Sequence, residues 1–194
     1  ASALGLTTPP SIAVTAATSR VPATASGATE HAASMIGQGK VLVSPLGMAA
    51  VTASIAKGAR VQPVLVTGDA GTPTAPTASA SAGTASATGT ATASETPVAA
   101  EPITEQEAEY LRTLMRGVVT EGTAQSALAG TPGGPIMAKT GTATYTVDGQ
   151  QRWHVWLIAI QGDLAVSVMV ADGDYGASTC GPLLKQFLTA VNAG

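Results

Sequence analysis

Two apolar runs, 153–161 and 164–171, are separated only by Gly162-Asp163. This spacing constrains the fold more than any other feature of the chain. Two residues cannot carry a helical crossover, so the runs must pair as an antiparallel hairpin with a tight turn. Asp148-Gly149 predicts a second hairpin that joins 136–145 to 153–161. The outcome is a three-strand meander. Its runs 153–161 and 164–171 are nearly all apolar, which predicts strands covered on both faces. The cover must come from helices, and helical patterns lie on either side in sequence. The fold class is therefore α+β, an antiparallel sheet packed by helices.

The helix signals are local and chemical. A short helical turn is expected at 28–34, after loop signals at Thr8-Pro9-Pro10 and Arg20-Val21-Pro22. A second helix starts at Ser44-Pro45, where Ser accepts from the first free N–H groups and Pro lacks the donor that would go unused. Leu46, Ala49, Ala50 and Ala53 share one face of it, and Gly58 is its stop. An extended segment follows at 61–66. Thr104 and Glu107 form T-x-x-E, a capping box that opens a third helix. Its expected buried stripe is Ala108, Leu111, Leu114, Met115 and Val118, and Gly122 ends it. After a turn cluster at 131–135 come the strands. The last helix begins near Ser178, accepts Pro182 in its first turn, and carries Leu183, Leu184, Phe187, Leu188 and Val191 on one face.

Residues 68–100 differ from everything around them. Thr, Ala, Ser, Gly and Pro dominate, no charge falls between Asp69 and Glu95, and no apolar period makes a core face. They read as a low-complexity insertion. The organisation is thus 1–67, an insertion 68–100, and 101–194 continuing the same domain.

Composition excludes several functions. Nine Lys+Arg against twelve Asp+Glu give 9 − 12 = −3, a poor balance for binding nucleic acid. Charged residues are 11% of the chain, against about 25% in average globular chains. Asp163 breaks the longest apolar run, short of the ~18 residues of a membrane span. The single Cys180 excludes a disulfide framework, and His31 and His154 have no metal-ligand spacing. No cofactor or metal is implied. The first residue is Ala1, with no basic and apolar leader after it, so the chain is expected to be a mature product or, better, a fragment.

Chemistry gathers at Lys139-Thr140-Gly141-Thr142 on the first strand. Alone, K-T-G is a weak signal, and its plain alternative is a surface strand with one solvated lysine. Two other blocks precede it: Ile36-Gly37-Gln38-Gly39 leading into Ser44-Pro45, and Val118-Val119-Thr120-Glu121-Gly122-Thr123-Ala124. Together, in this order, the three blocks resemble the C-terminal half of the transpeptidase domain of class B penicillin-binding proteins. The resemblance covers nearly all of the chain except the insertion. It implies a partial serine β-lactamase/transpeptidase-like fold with Lys139 on the strand that borders the cleft. A cation there favours an anionic carboxylate and biases nearby proton transfers. Gly141 lets a substrate lie against the strand. Thr140 and Thr142, two residues apart, point to one face and can hold a carboxylate. By the resemblance, the Thr142 N–H is half of an oxyanion hole. The implied ligands are peptidoglycan stem peptides and β-lactams.

The family also needs S-x-x-K and S-x-N elements. Asn192 is the only Asn, and no S-x-N exists here. Ser54-Ile55-Ala56-Lys57 is an S-x-x-K, but Ser54 lies near the end of its helix, where the dipole has the wrong sign for an alkoxide. It also follows the G-Q-G loop, whereas the family's nucleophile precedes it. The nucleophile is expected N-terminal to Ala1. The leading expectation is the C-terminal part of a D,D-transpeptidase that cross-links stem peptides by acyl transfer. The alternatives are a β-lactamase or carboxypeptidase of the same superfamily, or a silent sensor of β-lactams or muropeptides. The resemblance further implies an extracytoplasmic site, an N-terminal membrane anchor, and cell-division or elongation partners. The Ala/Thr/Gly-rich, Lys-poor composition points to a high-GC bacterial source.

Overall fold

The computed structural model describes residues 1–7, 12, 14, 16–65 and 101–194. The Thr8-Pro9-Pro10 loop, Val66 and the insertion at 68–100 lie outside the described residues. The sheet is the expected meander. β1 (Ile136–Val147), β2 (Gln150–Gln161) and β3 (Leu164–Val170) pair antiparallel in the order β1-β2-β3. Asp148 and Gly149 have φ of 51° and 75°, the two positive values that a two-residue hairpin between right-twisted strands requires. Both flanking strands therefore run further into the turn than the apolar runs alone indicate.

The pleat sorts residues between two helical layers. Ala138, Val155, Leu157 and Ala159 face a core that holds Ala124, Leu128, Cys180, Leu184 and Leu188. These come from α4 (Gln125–Leu128) and α5 (Gly181–Asn192) and the π-helical turn Gly176–Cys180. The burial there pushes the Cys180 thiol above its ordinary range. On the other face, Ile158 and Ile160 meet Val51, Ile55, Ile103, Ala108 and Met115. That layer is α2 (Pro45–Lys57) and α3 (Glu105–Thr120); α1 (Ala28–Met35) lies outside it with no buried residue.

Helix ends follow the sequence signals. Ser44 Oγ accepts from Gly47 N at 3.0 Å. Thr104 and Glu107 close the capping box from both sides. Its two Thr104 hydrogen bonds, from backbone N–H first and then hydroxyl, hold the Glu107 carboxyl below its ordinary range. Arg112 donates to the carbonyls of Ile55 and Ala56. A cation at the end of α2 thus satisfies carbonyls that have no partner within the helix.

Four burial expectations are corrected. In α2 the buried residues are Val51, Thr52, Ser54 and Ile55, not the face of Leu46, Ala49, Ala50 and Ala53. The helix packs against both the sheet and α3, and two hydroxyls can be buried because Thr52 and Ser54 donate back to Met48 O and Ala50 O. In α3, Leu114 is 69% exposed although it falls on the apolar stripe. In α5 only Leu184 and Leu188 are buried among the five stripe residues; Leu183, Phe187 and Val191 lie along its open flank. β3 is only partly buried at every position, because it is an edge strand, although helices pack on both of its faces. Arg20 also departs from its loop reading by bridging Leu42. Val61 and its neighbours join no strand.

Candidate active site

β1 is the other edge of the sheet, and K-T-G-T sits on it. The pleat divides the motif. Thr140 and Thr142 pair opposite Leu157 and Val155, on the α5 side. There they line a cleft of about 600 Å³ together with Thr123, Ser126, Tyr175 and Ser178. Lys139 stands on the opposite side, exposed, beside a second cavity of about 400 Å³ formed with Gln38, Val41, Met48, Trp156 and Met169. The structure thus brings the two threonines together and sets the lysine across the strand from them. Both sides meet at the open edge of β1.

That edge has a defined polarity. In a strand, the N–H and C=O of one residue point to the same lateral side, which is why paired residues exchange both bonds. Gln38 Nε2 donates to Thr142 O at 2.9 Å. This donor lies outside the sheet, so the Thr142 N–H also faces away from β2. Lys139 Nζ donates to Thr140 O at 2.7 Å, which places Thr140 in the same alternating set. Gly141 faces β2 across from Trp156. The backbone therefore presents N–H and C=O groups of Thr140 and Thr142 along the edge, flanked by hydroxyls on one side and an ammonium on the other.

Three further segments complete the site. Gln38 reaches the edge from a loop whose flanking Gly37 and Gly39 both have positive φ. After α3 the chain doubles back, with Ala124 N on Val118 O, and this brings Thr123 Oγ1 within 2.9 Å of Thr140 Oγ1. The turn Gly176–Cys180 lies flat on the sheet because Gly176 has no side chain. A Cβ there would come within 2.4 Å of Trp156 O and 3.0 Å of Gly141 O. Gln38 and Thr123 stand inside the G-Q-G and T-E-G-T-A blocks, but their contacts to β1 have no sequence signal. Tyr175 and Ser178 carried none at all.

Ser54 is placed far from any such role. It is fully buried, donating to Ala50 O at 2.8 Å and accepting from Val61 N at 2.9 Å. It cannot meet a substrate. Among the described residues no group of His, Cys, Asp and Glu is arranged to hold a metal ion, and no helix is long and apolar enough to cross a membrane.

The site is thus a three-strand antiparallel sheet between helical layers, with K-T-G on its edge beside a hydroxyl-lined cleft. The sequence profile described as "Penicillin binding protein transpeptidase domain" matches residues 2–189, and the chain belongs to that family. The fold agrees with solved structures. Penicillin-binding protein 2 (PBP2) of Pseudomonas aeruginosa is 23% identical with a TM-score of 0.57, over 80% of this chain and 32% of that one. PBP2 of Helicobacter pylori, solved in complex with MreC, is 23% identical with a TM-score of 0.59, over 84% and 27%. The D,D-transpeptidase domain of a peptidoglycan glycosyltransferase from Eggerthella lenta is 22% identical with a TM-score of 0.50, over 80% and 34%. The chain spans about a third of the length of these structures. No curated protein matches it in sequence.

Proposed function

We propose that this chain is the C-terminal portion of a serine D,D-transpeptidase domain, and that it supplies the carboxylate-binding and oxyanion side of the cleft. The observation that carries this reading is the open edge of β1, with Thr142 N–H and O directed outward. A stem peptide or β-lactam adds to this edge as a further strand. Its reacting carbonyl oxygen meets the Thr142 N–H, a donor already fixed in place, which costs no reorganisation as negative charge develops. Thr140 and Thr142 donate hydroxyl hydrogens to the substrate carboxylate. Lys139 adds positive charge at the same edge, and Gly141 leaves the strand bare. The serine that attacks belongs to chain preceding Ala1, since Ser54 is sealed in the core. Segments 1–67 and 101–194 belong to one domain, with 68–100 inserted between them. The whole protein acts on the outer face of the cytoplasmic membrane, held by a preceding anchor. The whole protein works with cell-division or elongation partners, a reading supported by the H. pylori neighbour's complex with MreC.

The test is the second-order rate of acylation by a fluorescent penicillin in the full-length protein. Lys139→Ala removes a charge-assisted interaction of about 1.5–3 kcal/mol, so acylation falls roughly 10- to 150-fold. The denaturation midpoint is unchanged. Thr140→Val keeps the shape and weakens carboxylate binding. A parental acylation rate in Lys139→Ala overturns the assignment.

A further inference from the structure

The hydroxyl of Thr140 is not alone. Thr123 Oγ1 lies 2.9 Å from Thr140 Oγ1, brought there from the turn beyond α3. A hydroxyl has one hydrogen to give and two lone pairs that accept. The contact therefore has two polarities, and the ligand decides between them. A carboxylate only accepts. If Thr140 serves a carboxylate, its single hydrogen goes to the ligand, and the hydrogen between the two threonines must come from Thr123. With the ligand bound, Thr123 then occupies a lone pair of the Thr140 oxygen and leaves the Thr140 hydrogen directed at the carboxylate. By donating into the same oxygen it also polarises that hydrogen, since chained hydrogen bonds strengthen one another.

We propose that Thr123 is a positioning residue that aims the Thr140 hydroxyl at the substrate carboxylate, and that it thereby sets the preference of the site for anionic over neutral ligands. The proposal rests on the function given above and adds to it a residue from a different element. Thr123 lines the same cleft as Thr140 and Thr142, so a ligand held by these two threonines lies in the cleft that Thr123 borders. Thr142 has no hydroxyl neighbour of this kind among the described residues, so the two threonines are not equivalent. Thr140 has a hydroxyl partner within hydrogen-bond distance, and Thr142 does not.

The experiment compares two probes on the full-length protein: a penicillin with its free carboxylate, and the methyl ester of the same penicillin. Both are followed by the second-order acylation constant. Thr123→Val should slow the free acid about 2- to 10-fold, the effect of one neutral hydrogen bond, and leave the ester unchanged. Thr123→Ser restores the hydroxyl and should restore the rate. With Thr140→Val already present, adding Thr123→Val should cost nothing more. Equal slowing of acid and ester by Thr123→Val, or full additivity with Thr140→Val, would show that Thr123 only supports the turn, and would overturn the proposal. The two levels fail separately. If Thr140→Val slows acid and ester alike, the carboxylate reading of the cleft is wrong. If Thr140→Val discriminates between them and Thr123→Val does not, the site stands and the role of Thr123 falls.

Discussion

Ser54 offers the sharpest test of how this chain uses an S-x-x-K sequence, because its place in the structure predicts a loss of stability and none of chemistry. Its Oγ accepts from Val61 N at 2.9 Å and donates to Ala50 O at 2.8 Å, with no solvent exposure. Ser54→Ala removes one oxygen and leaves almost no cavity. The bond back to Ala50 matters little, since that carbonyl already serves the helix. The Val61 N–H is the cost. It becomes a buried donor with no partner, worth about 1–3 kcal/mol. At roughly 2–4 °C per kcal/mol for a chain of this size, the thermal midpoint falls by about 2–12 °C. The assay is urea denaturation of the complete domain, run beside labelling with fluorescent penicillin. The midpoint should drop with an unchanged slope, while labelling of the folded protein continues at the parental rate. A variant that keeps its stability would show that the Val61 N–H finds another acceptor. A variant that stays folded and loses its label would make Ser54 a nucleophile and refute the buried placement itself.

Gly176→Ala should destabilise the protein by about 1–3 kcal/mol and slow acylation, because the added carbon meets Trp156 O at 2.4 Å and must lift the cleft wall off β1; parental values of both would refute the close packing. The Glu107 carboxyl is held low by the Thr104 N–H and then the Thr104 hydroxyl. A depressed carboxyl stabilises the fold above its unfolded value, near 4.5, and that contribution is lost as the pH falls through the lower folded value. Glu107→Gln keeps an acceptor for the Thr104 N–H but cannot ionise. The gap in thermal midpoint between parent and variant should therefore be present near neutral pH and close in acid, and a gap independent of pH would refute the account.

The meander was legible because its evidence is local. Two two-residue turns leave 136–145 and the two apolar runs no choice but to pair in sequence. Ser44-Pro45 and Thr104-Glu107 were legible for the same reason, since a cap is made within four residues. Burial was less so, because it depends on what arrives from elsewhere. Leu114 has the period of a core residue but no described residue buries it, and Ser54 has the polarity of a surface residue yet sits where a loop N–H needs an oxygen. At the site, the alternation of a strand was enough to place Thr140 and Thr142 on one face. It equally implied that Lys139 lies on the other. What the alternation could not supply was the third dimension: Gln38 is 104 residues from Thr142, and Thr123 meets Thr140 only because the chain reverses after α3.

The outer edge of β3 carries a consequence for handling the protein. Leu164–Val170 contains no charge and no proline, the two devices by which natural edge strands repel one another. Among the described residues no strand pairs with it. Two molecules meeting edge to edge can therefore join their sheets through main-chain hydrogen bonds alone, with valines and a methionine zipping alongside. Self-association of this chain should rise with protein concentration and persist in high salt, since no charges are involved to be screened.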